Sequence, residues 1–475
     1  MIHIHKQTHI RHVSDESVIW CPRTGGCTVL RNARPILDEM KREWRSVDEI
    51  ARAIAEKFGC DADEVRDGVA AVVGELVSQR FVEVEGGVVT GEAPVVPVNG
   101  QDSLLTARAG RAPYQDDDWT PLGNFYMRHG LPSELHIDLT DGCNEKCVHC
   151  YLQHGGTHYI DKGIAFKVLK EFREAQGLTV FVSGGECMLH KDFAEILWYA
   201  KSLDLNIIVL SNLTLCDERM VALLKEIDPQ FVNVSLYAVT EAVHDSITQI
   251  PGSFNQTIHS LLELHANKIP IQISCPTMKK NYAGYKDVLQ FAAQHNIPAY
   301  TDFILMARSD HSTDNLTQRL SLSEAEYLMR DMLDHSYRYA SRILSQTEFE
   351  KIAIPSADWE EEQICGAGIS SICLNSNGEY YPCAGFQNYP VGNCNKQTLR
   401  EVWENSPQLK YLRSLKRKNL EKCVKCENRN FCSICLVRNF NENKNMLQPN
   451  EHYCNIASIN RRLVEEYRAA HENLQ

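Results

Sequence analysis

The stretch Cys143-Asn144-Glu145-Lys146-Cys147-Val148-His149-Cys150-Tyr151 follows directly on a short segment of alternating character, Glu134 to Thr140, that reads as a β-strand. Three cysteines spaced C-x₃-C-x₂-C on one loop can hold three irons of a [4Fe–4S] cube, and the loop supplies no fourth cysteine. One iron is then open to a small molecule, which makes such a cluster a catalyst rather than an electron wire. The alternative is a structural zinc knuckle, although structural zinc sites usually close with four ligands.

Downstream of this loop, helix and strand patterns alternate. Ile164 to Ala175, Phe193 to Leu203, Glu218 to Ile227, Phe254 to Ala266 and Tyr285 to His295 read as helices. Leu178 to Val182, Asn206 to Leu210, Phe231 to Leu236, Ile271 to Cys275 and Tyr300 to Leu305 read as strands. With Glu134 to Thr140 this makes a six-stranded α/β unit of parallel βαβ repeats. Polar residues collect at the strand ends: Ser183-Gly184-Gly185-Glu186, Ser211-Asn212 and Ser235-Leu236-Tyr237. The cysteine spacing, the trailing Tyr151 and the Gly-Gly-Glu element together resemble the radical S-adenosylmethionine (radical SAM) family. That resemblance implies a partial (β/α)6 TIM barrel over residues 133–345, with SAM bound through its amino and carboxylate groups to the open iron on Cys143, Cys147 and Cys150. It also implies that Gly184, Gly185 and Glu186 hold the SAM amino group and that Ser211, Asn212 and Ser235 contact its carboxylate and ribose. His149 and Tyr151 would then frame the adenine. Serine and asparagine at strand ends also cap the following helix, which is the plainer reading of Ser211, Asn212 and Ser235. Cys187, where the family often has proline, reads either as a radical-relay thiol or as an inert buried cysteine.

Beyond Arg308 a long amphipathic helix is expected over Ser321 to Leu344. A second cysteine-rich region follows, with Cys365, Cys373, Cys383, Cys394, Cys423, Cys426, Cys432, Cys435 and Cys454. The element C-x₂-C-x₅-C-x₂-C at Cys423 to Cys435, with Cys365-Gly366-Ala367-Gly368 and Gly378…Pro382-Cys383 before it, resembles the SPASM domain, here placed at residues 346–475. The last gap is two residues where three is usual. The resemblance implies two auxiliary [4Fe–4S] clusters, one on Cys365, Cys373, Cys383 and Cys435 and one on Cys423, Cys426, Cys432 and Cys454, and so three clusters in all. Without Cys373 the first would keep an open iron. Paired C-x₂-C elements also bind zinc, which is redox-silent and no electron sink for an oxidising radical enzyme.

Residues 1–95 read as a separate domain. Val18 to Cys21 and Cys27 to Leu30 form a hairpin about Gly25-Gly26. A first helix carries Pro35, Ile36, Leu37, Met40 and Trp44. A second starts at the capping box Ser46 to Glu49 and repeats Ile50, Ile54 and Phe58. A third, capped by Asp61 or Asp63, carries Val65, Val69, Val72, Val73 and Leu76, and a wing follows from Phe81 to Thr90 about Gly86-Gly87. The plan is a winged helix. Its third helix bears Asp61, Asp63, Glu64, Asp67 and Glu75, so it repels phosphate and excludes the usual DNA-reading role. With Asn32-Ala33-Arg34-Pro35 it resembles the PqqD-like peptide-recognition element, which takes the leader of a precursor peptide as an added strand, here near Cys27 to Leu30. The alternative is a structural cap. The four histidines His3, His5, His9 and His12 suggest a metal site weakly and a partly frayed terminal strand more simply. Residues 96–132 read as a linker, punctuated by Pro97, Gly100, Gly110, Pro113, Pro121 and Gly123.

Composition bounds the rest. The 475 residues are 43% hydrophobic and 23% charged, with a formal charge of −13 that disfavours nucleic acid as a partner. No apolar run reaches membrane-spanning length and the N-terminus lacks a signal-peptide core, so a cytoplasmic protein is expected. In that compartment 18 cysteines point to cluster ligation rather than disulfides. The expected function is that of a radical SAM/SPASM enzyme that binds a precursor peptide by its leader and cross-links its core, with a thioether favoured and flavodoxin or ferredoxin as electron donor. The alternatives are a carbon–carbon (cyclophane-type) cross-linking maturase, a sulfatase-type maturase and an iron–sulfur electron-transfer protein.

Overall fold

Residues 1–23, 25–40, 44–85, 121–335 and 359–471 are described by a computed structural model of the chain. The first residues are tied down rather than frayed. β1 (Ile2–Ile4) buries Ile2 and Ile4, and β2 (His9–Val13), β3 (Glu16–Cys21) and β4 (Gly26–Arg31) form an antiparallel sheet in that order. Three helices follow, α1 (Arg34–Met40), α2 (Val47–Phe58) and α3 (Ala62–Ser78). The start of α2 is set by the expected capping box: Ser46 Oγ accepts the Glu49 N–H, and Glu49 Oε2 accepts the Ser46 N–H at 2.7 Å. Asp61, not Asp63, caps α3. Leu37, Met40, Ile50, Ile54, Val69, Val73 and Leu76 pack with Ile10 and Ile19 into one core. α1 is described as far as Met40, and Trp44, expected on its buried stripe, is exposed. The strand β5 (Val82–Val84) pairs antiparallel with β1, closing the domain through its own N-terminus. The expected turn at Gly86-Gly87 and the strand at 88–90 lie outside the described residues.

The expected linker is not all loop, because α4 (Pro121–His129) covers the outer face of the β2–β4 sheet. Phe125 and Tyr126 are fully buried there with Val18, Trp20, Val29 and Leu178. Glu16 accepts hydrogen bonds from Arg31 and Arg128 and pairs with His129 at 3.0 Å, stitching β3, β4 and α4 together.

The chain then enters a nine-stranded sheet in the order β11-β10-β9-β8-β7-β6-β12-β13-β14. Six of these strands form the expected parallel βα array: β6 (Glu134–Asp138), β7 (Thr179–Ser183), β8 (Asn206–Ser211), β9 (Phe231–Ser235), β10 (Ile271–Pro276) and β11 (Ala299–Asp302). Between them run α5 (Lys162–Glu174), α6 (Phe193–Ser202), α7 (Glu218–Ile227), α8 (Glu241–Thr248), α9 (Ser253–Ala266) and α10 (Tyr285–Gln294). Strand alternation explains the layering. Leu135, Ile137 and Leu139 of the β6 segment face the helices with Val168, Leu169 and Phe172, while His136 turns inward and stacks on Phe181 with ring centroids 4.1 Å apart. The long helix begins as expected, as α11 (Leu322–His335); its continuation to Leu344 lies outside the described residues.

The two C-terminal units are not separate layers. β12 (Ser371–Leu374) adds in parallel to the free edge of β6, pairing Cys373 with His136, and β13 (Glu379–Tyr381) and β14 (Gly392–Asn393) extend the same sheet. The tight turn before β13 needs Gly378 at φ +80°, where a Cβ would meet Cys394 Sγ at 2.9 Å. The helix Glu451–His471 returns to α11 through the Arg462–Glu326 and Arg330–Glu466 ion pairs.

The N-terminal domain docks on loops that precede barrel strands, at the face opposite their C-terminal ends. Arg11, wholly buried, donates to the carbonyls of Gly177 (2.8 Å) and Asp204 (2.6 Å) and to Asp204 Oδ2 (2.9 Å). His9 also pairs with Asp204, and Lys6, Gln7 and Arg23 meet Asp228. His5, His9 and His12 thus pair with separate carboxylates and His3 stacks on Trp44, and none belongs to a metal-binding group among the described residues.

Candidate active site

The cysteine loop leaves the C-terminal end of β6 and is pressed against the end of β7 by two close backbone approaches. A Cβ on Gly184 would lie 2.3 Å from the Thr140 carbonyl oxygen, and one on Gly185 would lie 2.1 Å from that of Gly142. Both glycines are therefore required sterically, and the Gly185 and Glu186 N–H groups donate to those same carbonyls at 2.8 and 2.9 Å.

Glu186 is buried and its carboxylate is taken up by the chain itself. Oε1 accepts from Ser211 Oγ (2.9 Å) and the Met188 N–H (3.0 Å), and Oε2 accepts from the Asn212 N–H (2.8 Å). Burial raises its pKa in spite of these donors. Ser211 Oγ also accepts the Leu213 N–H, so Glu186 and Ser211 lock the ends of β7 and β8 together. Asn212 reaches the cysteine loop: Nδ2 donates to Asn144 Oδ1 at 3.0 Å and approaches Cys143 Sγ at 4.0 Å. Ser235 stands beside Tyr237, whose hydroxyl is 3.8 Å from Cys147 Sγ and whose ring meets that of His149 at 5.0 Å, edge to face. Cys187 is wholly buried and donates to the Leu210 carbonyl at 3.3 Å, which supports the inert reading.

The donor set suits a metal cluster. Burial raises the Cys147 and Cys150 thiols, while Cys143 is the exposed member of the three, so that pair would stay protonated as bare thiols and a cationic group offsets the cost of their thiolates. Two further buried atoms of the loop, Glu145 Oε1 and His149 Nδ1, have no hydrogen-bond partner. Burial drives the Glu145 pKa up to about 7 and the His149 pKa down to about 4. Among the described residues no three His, Cys, Asp or Glu side chains converge as the ligands of one ion would. A cube has no such requirement, since each thiolate binds its own iron.

The remaining cysteines gather in two groups. Cys365, Cys383 and Cys435 lie near one another, and Cys373, fully buried on β12, neighbours Cys383. Cys423, Cys426, Cys432 and Cys454 line one cavity, and Cys435 borders it too, standing between the groups. Tyr151 lies near Cys150, Cys373, Cys383 and Asp138, between the first loop and the nearer auxiliary group.

Asp138, with its donors Tyr381 and Gln387, is a residue the motif reading missed. It ends β6 on the inward phase set by His136, at the mouth of the barrel, and burial pushes its pKa up to about 6. The available signal was the alternation of Glu134–Asp138, in which Leu135 and Ile137 turn to the helices and Asp138 falls on the interior phase at the strand's C-terminal end.

Comparison with known proteins agrees with this geometry. The Radical SAM superfamily model matches residues 137–292, and that of the iron–sulfur cluster-binding domain SPASM matches 365–427. The chain carries a radical SAM domain and a SPASM domain. The subtilosin biosynthesis protein AlbA of Bacillus subtilis is 29% identical over 350 residues, which cover 68% of this chain and 73% of AlbA. The AdoMet-dependent heme synthase of Methanosarcina barkeri is 26% identical over 348 residues, 68% of this chain and 96% of that enzyme. It therefore has almost no length outside the matched part. The crystal structure of Streptococcus suis SuiB bound to its precursor peptide SuiA superimposes with a TM-score of 0.61 at 16% identity, over 92% of this chain and 96% of SuiB. Coverage of that extent cannot be reached without the N-terminal domain, so the likeness of fold extends to it. No helix among the described residues is long and apolar enough to cross a membrane.

Proposed function

We propose that this protein is a cytoplasmic radical SAM/SPASM peptide maturase. It recruits a precursor through a PqqD-like N-terminal domain and forms a thioether in the core peptide, a carbon–carbon cross-link being the alternative product. The observation that carries this reading is a domain with an edge strand, β4, docked on the same barrel whose mouth holds the three-cysteine loop and Gly184–Glu186. AlbA and SuiB support a peptide substrate, and the shorter heme synthase, matched almost end to end, does not account for the N-terminal domain.

With a [4Fe–4S] cluster on Cys143, Cys147 and Cys150 and SAM bound, the site would supply a primary carbon radical able to take hydrogen from an unactivated peptide carbon. The protein residues hold that site in place. The Glu145 N–H points at Cys143 Sγ at 3.4 Å, Tyr237 stands over Cys147, and the Glu186 carboxylate fixes the strand ends from which Asn212 reaches the loop. Cys365, Cys373, Cys383 and Cys435, and Cys423, Cys426, Cys432 and Cys454, would hold two further clusters that take the surplus electron, with flavodoxin or ferredoxin as external donor.

The test is anaerobic purification of the wild type and of the triple variant Cys143→Ala, Cys147→Ala, Cys150→Ala. The wild type should carry about twelve irons and the variant about eight, with no SAM cleavage. Mass spectrometry of a candidate precursor peptide incubated with the reduced enzyme and SAM should show a product lighter by the hydrogens lost in the cross-link. SAM cleavage by the triple variant, or heme synthesis in place of peptide modification, would overturn the proposal.

A further inference from the structure

Cys423, Cys426, Cys432 and Cys454 are each only partly buried, whereas the other auxiliary group includes the fully buried Cys373. The four line one cavity with Arg429 and Arg438, and no aspartate or glutamate lines it among the described residues. Arg438 is itself buried, lies over the Tyr453 ring at 4.0 Å and stands near Cys432. The positive excess continues outward from the cavity. Residues 410–429 carry eight lysines and arginines against two acidic residues, in a chain whose net charge is −13. That segment turns its apolar side chains inward, where Leu412, Leu415 and Leu420 pack in one core with Cys423. Lys418, Lys422 and Lys425 are exposed, and Lys422 stands near both Cys423 and Cys454. Lys418 is paired with the exposed Glu361 at 2.6 Å, but no carboxylate lies within ion-pair distance of Lys422 or Lys425 among the described residues. Of the acidic groups on this face, Glu427 is held by Arg461 at 2.9 Å, which leaves Glu421 and Glu451 as countercharge.

We propose that Lys422 and Lys425, with Lys418 at the margin, form the docking surface of an acidic one-electron carrier protein. Two arginines inside the cavity already face the four thiolates, so the outer lysines are surplus to a cluster held there. A lysine run is most often a solvated face, but this one flanks the half-buried cysteines at the point where a cluster would come nearest the surface. Electron transfer falls off steeply with distance, so a redox partner has to dock there. The step is the passage of one electron, the surplus of each turnover, from the reduced cluster to the oxidised carrier, with no bond made or broken. Redox complexes of this kind bury little surface and depend on opposite charge for encounter and orientation. A nucleic acid would meet the repulsion of the rest of an acidic chain. The inference rests on the proposed cluster assignment for its role, but docking is measured without turnover.

The experiment uses the anaerobically reconstituted full chain, with calorimetry of binding to two acidic carriers, oxidised flavodoxin and a [2Fe–2S] ferredoxin, and to cytochrome c as a basic control. The wild type should bind at least one acidic carrier with an affinity that falls as salt is added, and should not bind cytochrome c. The triple variant Lys418→Gln, Lys422→Gln, Lys425→Gln should keep the wild-type iron content and dithionite-driven SAM cleavage, and bind that carrier about tenfold more weakly. If the triple variant loses iron, Lys418→Gln and Lys422→Gln, which lie outside the C-x₂-C loop, carry the test singly, at about threefold each. Lys279→Gln with Lys280→Gln is the positional control. These lysines are exposed beside the end of α8, whose Thr248 carbonyl accepts the Lys146 N–H of the three-cysteine loop, and their loss should leave carrier binding unchanged. Equal carrier binding by wild type and lysine variants, loss confined to the Lys279 and Lys280 variant, no salt-dependent binding of either carrier, or tighter binding of a DNA duplex than of the carriers refutes the docking surface. Absence of SAM cleavage by the wild type with dithionite instead refutes the radical SAM reading, so the two failures are distinguishable.

Discussion

Glu186 offers the sharpest test of how the site is held. If its carboxylate acts by locking β7 to β8, replacing it with glutamine should weaken SAM binding through Ser211 and Asn212. Three N–H and O–H donors converge on two oxygens at 2.8, 2.9 and 3.0 Å, and the Cys187 thiol is a longer fourth donor to Oε1 at 3.7 Å. An amide NH₂ in place of either oxygen sets a donor against at least one of them. Hydrogen bonds to a charged acceptor contribute about 1.5–3 kcal/mol each, and losing the charge recovers part of the burial cost that raises the Glu186 pKa. The net loss for Glu186→Gln should be about 2 kcal/mol, or about thirtyfold in SAM Kd. Ser211→Ala removes one neutral donor and should cost about 1 kcal/mol, or about fivefold. Anaerobic calorimetry of SAM binding to the reconstituted variants reads both. Abolished binding in Glu186→Gln with an unchanged Ser211→Ala would mean that the carboxylate touches SAM directly and the positioning argument is wrong.

Arg11→Met keeps the apolar stem but strips the charge from a wholly buried contact; because Asp204 remains 40% exposed and can rehydrate, the cost should fall near the lower end for a broken buried pair, about 3 kcal/mol. Hydrogen exchange should then speed up at His9–Val13 and around Gly177, and unchanged exchange would show that Arg11 does not hold the domain. His136, held neutral in the barrel with its pKa lowered to about 4 by burial, takes its proton in the unfolded chain first. Its contribution is therefore fully present above about pH 6.5 and is lost as pH falls toward about 4, by about 1 kcal/mol between pH 7 and pH 5.5. Denaturant titrations of His136→Phe should show a correspondingly flatter acid limb than the wild type, and identical slopes would refute it. A leader that docks against the exposed Asp63, Glu64 and Asp67 of α3 should carry Lys or Arg, and its affinity for the full chain should fall with salt. Neutralising those three carboxylates as Asp63→Asn, Glu64→Gln and Asp67→Asn should abolish that salt dependence, and a dependence that persists would place the leader elsewhere.

The chain by itself determined what depends on local spacing and period. The cysteine loop, the Gly-Gly-Glu turn, the capping box at Ser46 and the βα alternation involve residues within a turn or a strand of one another, where backbone geometry limits what a pattern can mean. Tertiary structure decided the relations between distant segments. That β12 lies on β6, so that Cys373 and Tyr381 face the barrel mouth with Asp138, joins residues more than two hundred positions apart. That Arg11 is buried against Gly177 and Asp204, and that α4 covers the N-terminal sheet, depends likewise on which surfaces meet. Glu186 shows the division within one residue. Its place in the motif was legible from the sequence, but its partners come from the end of the next strand, so only the folded sheet assigns its carboxylate to Ser211 and Asn212. Pattern repeats over short distances because the backbone has few shapes, whereas pairing across the fold follows from packing many surfaces at once, and no single stretch of sequence encodes that.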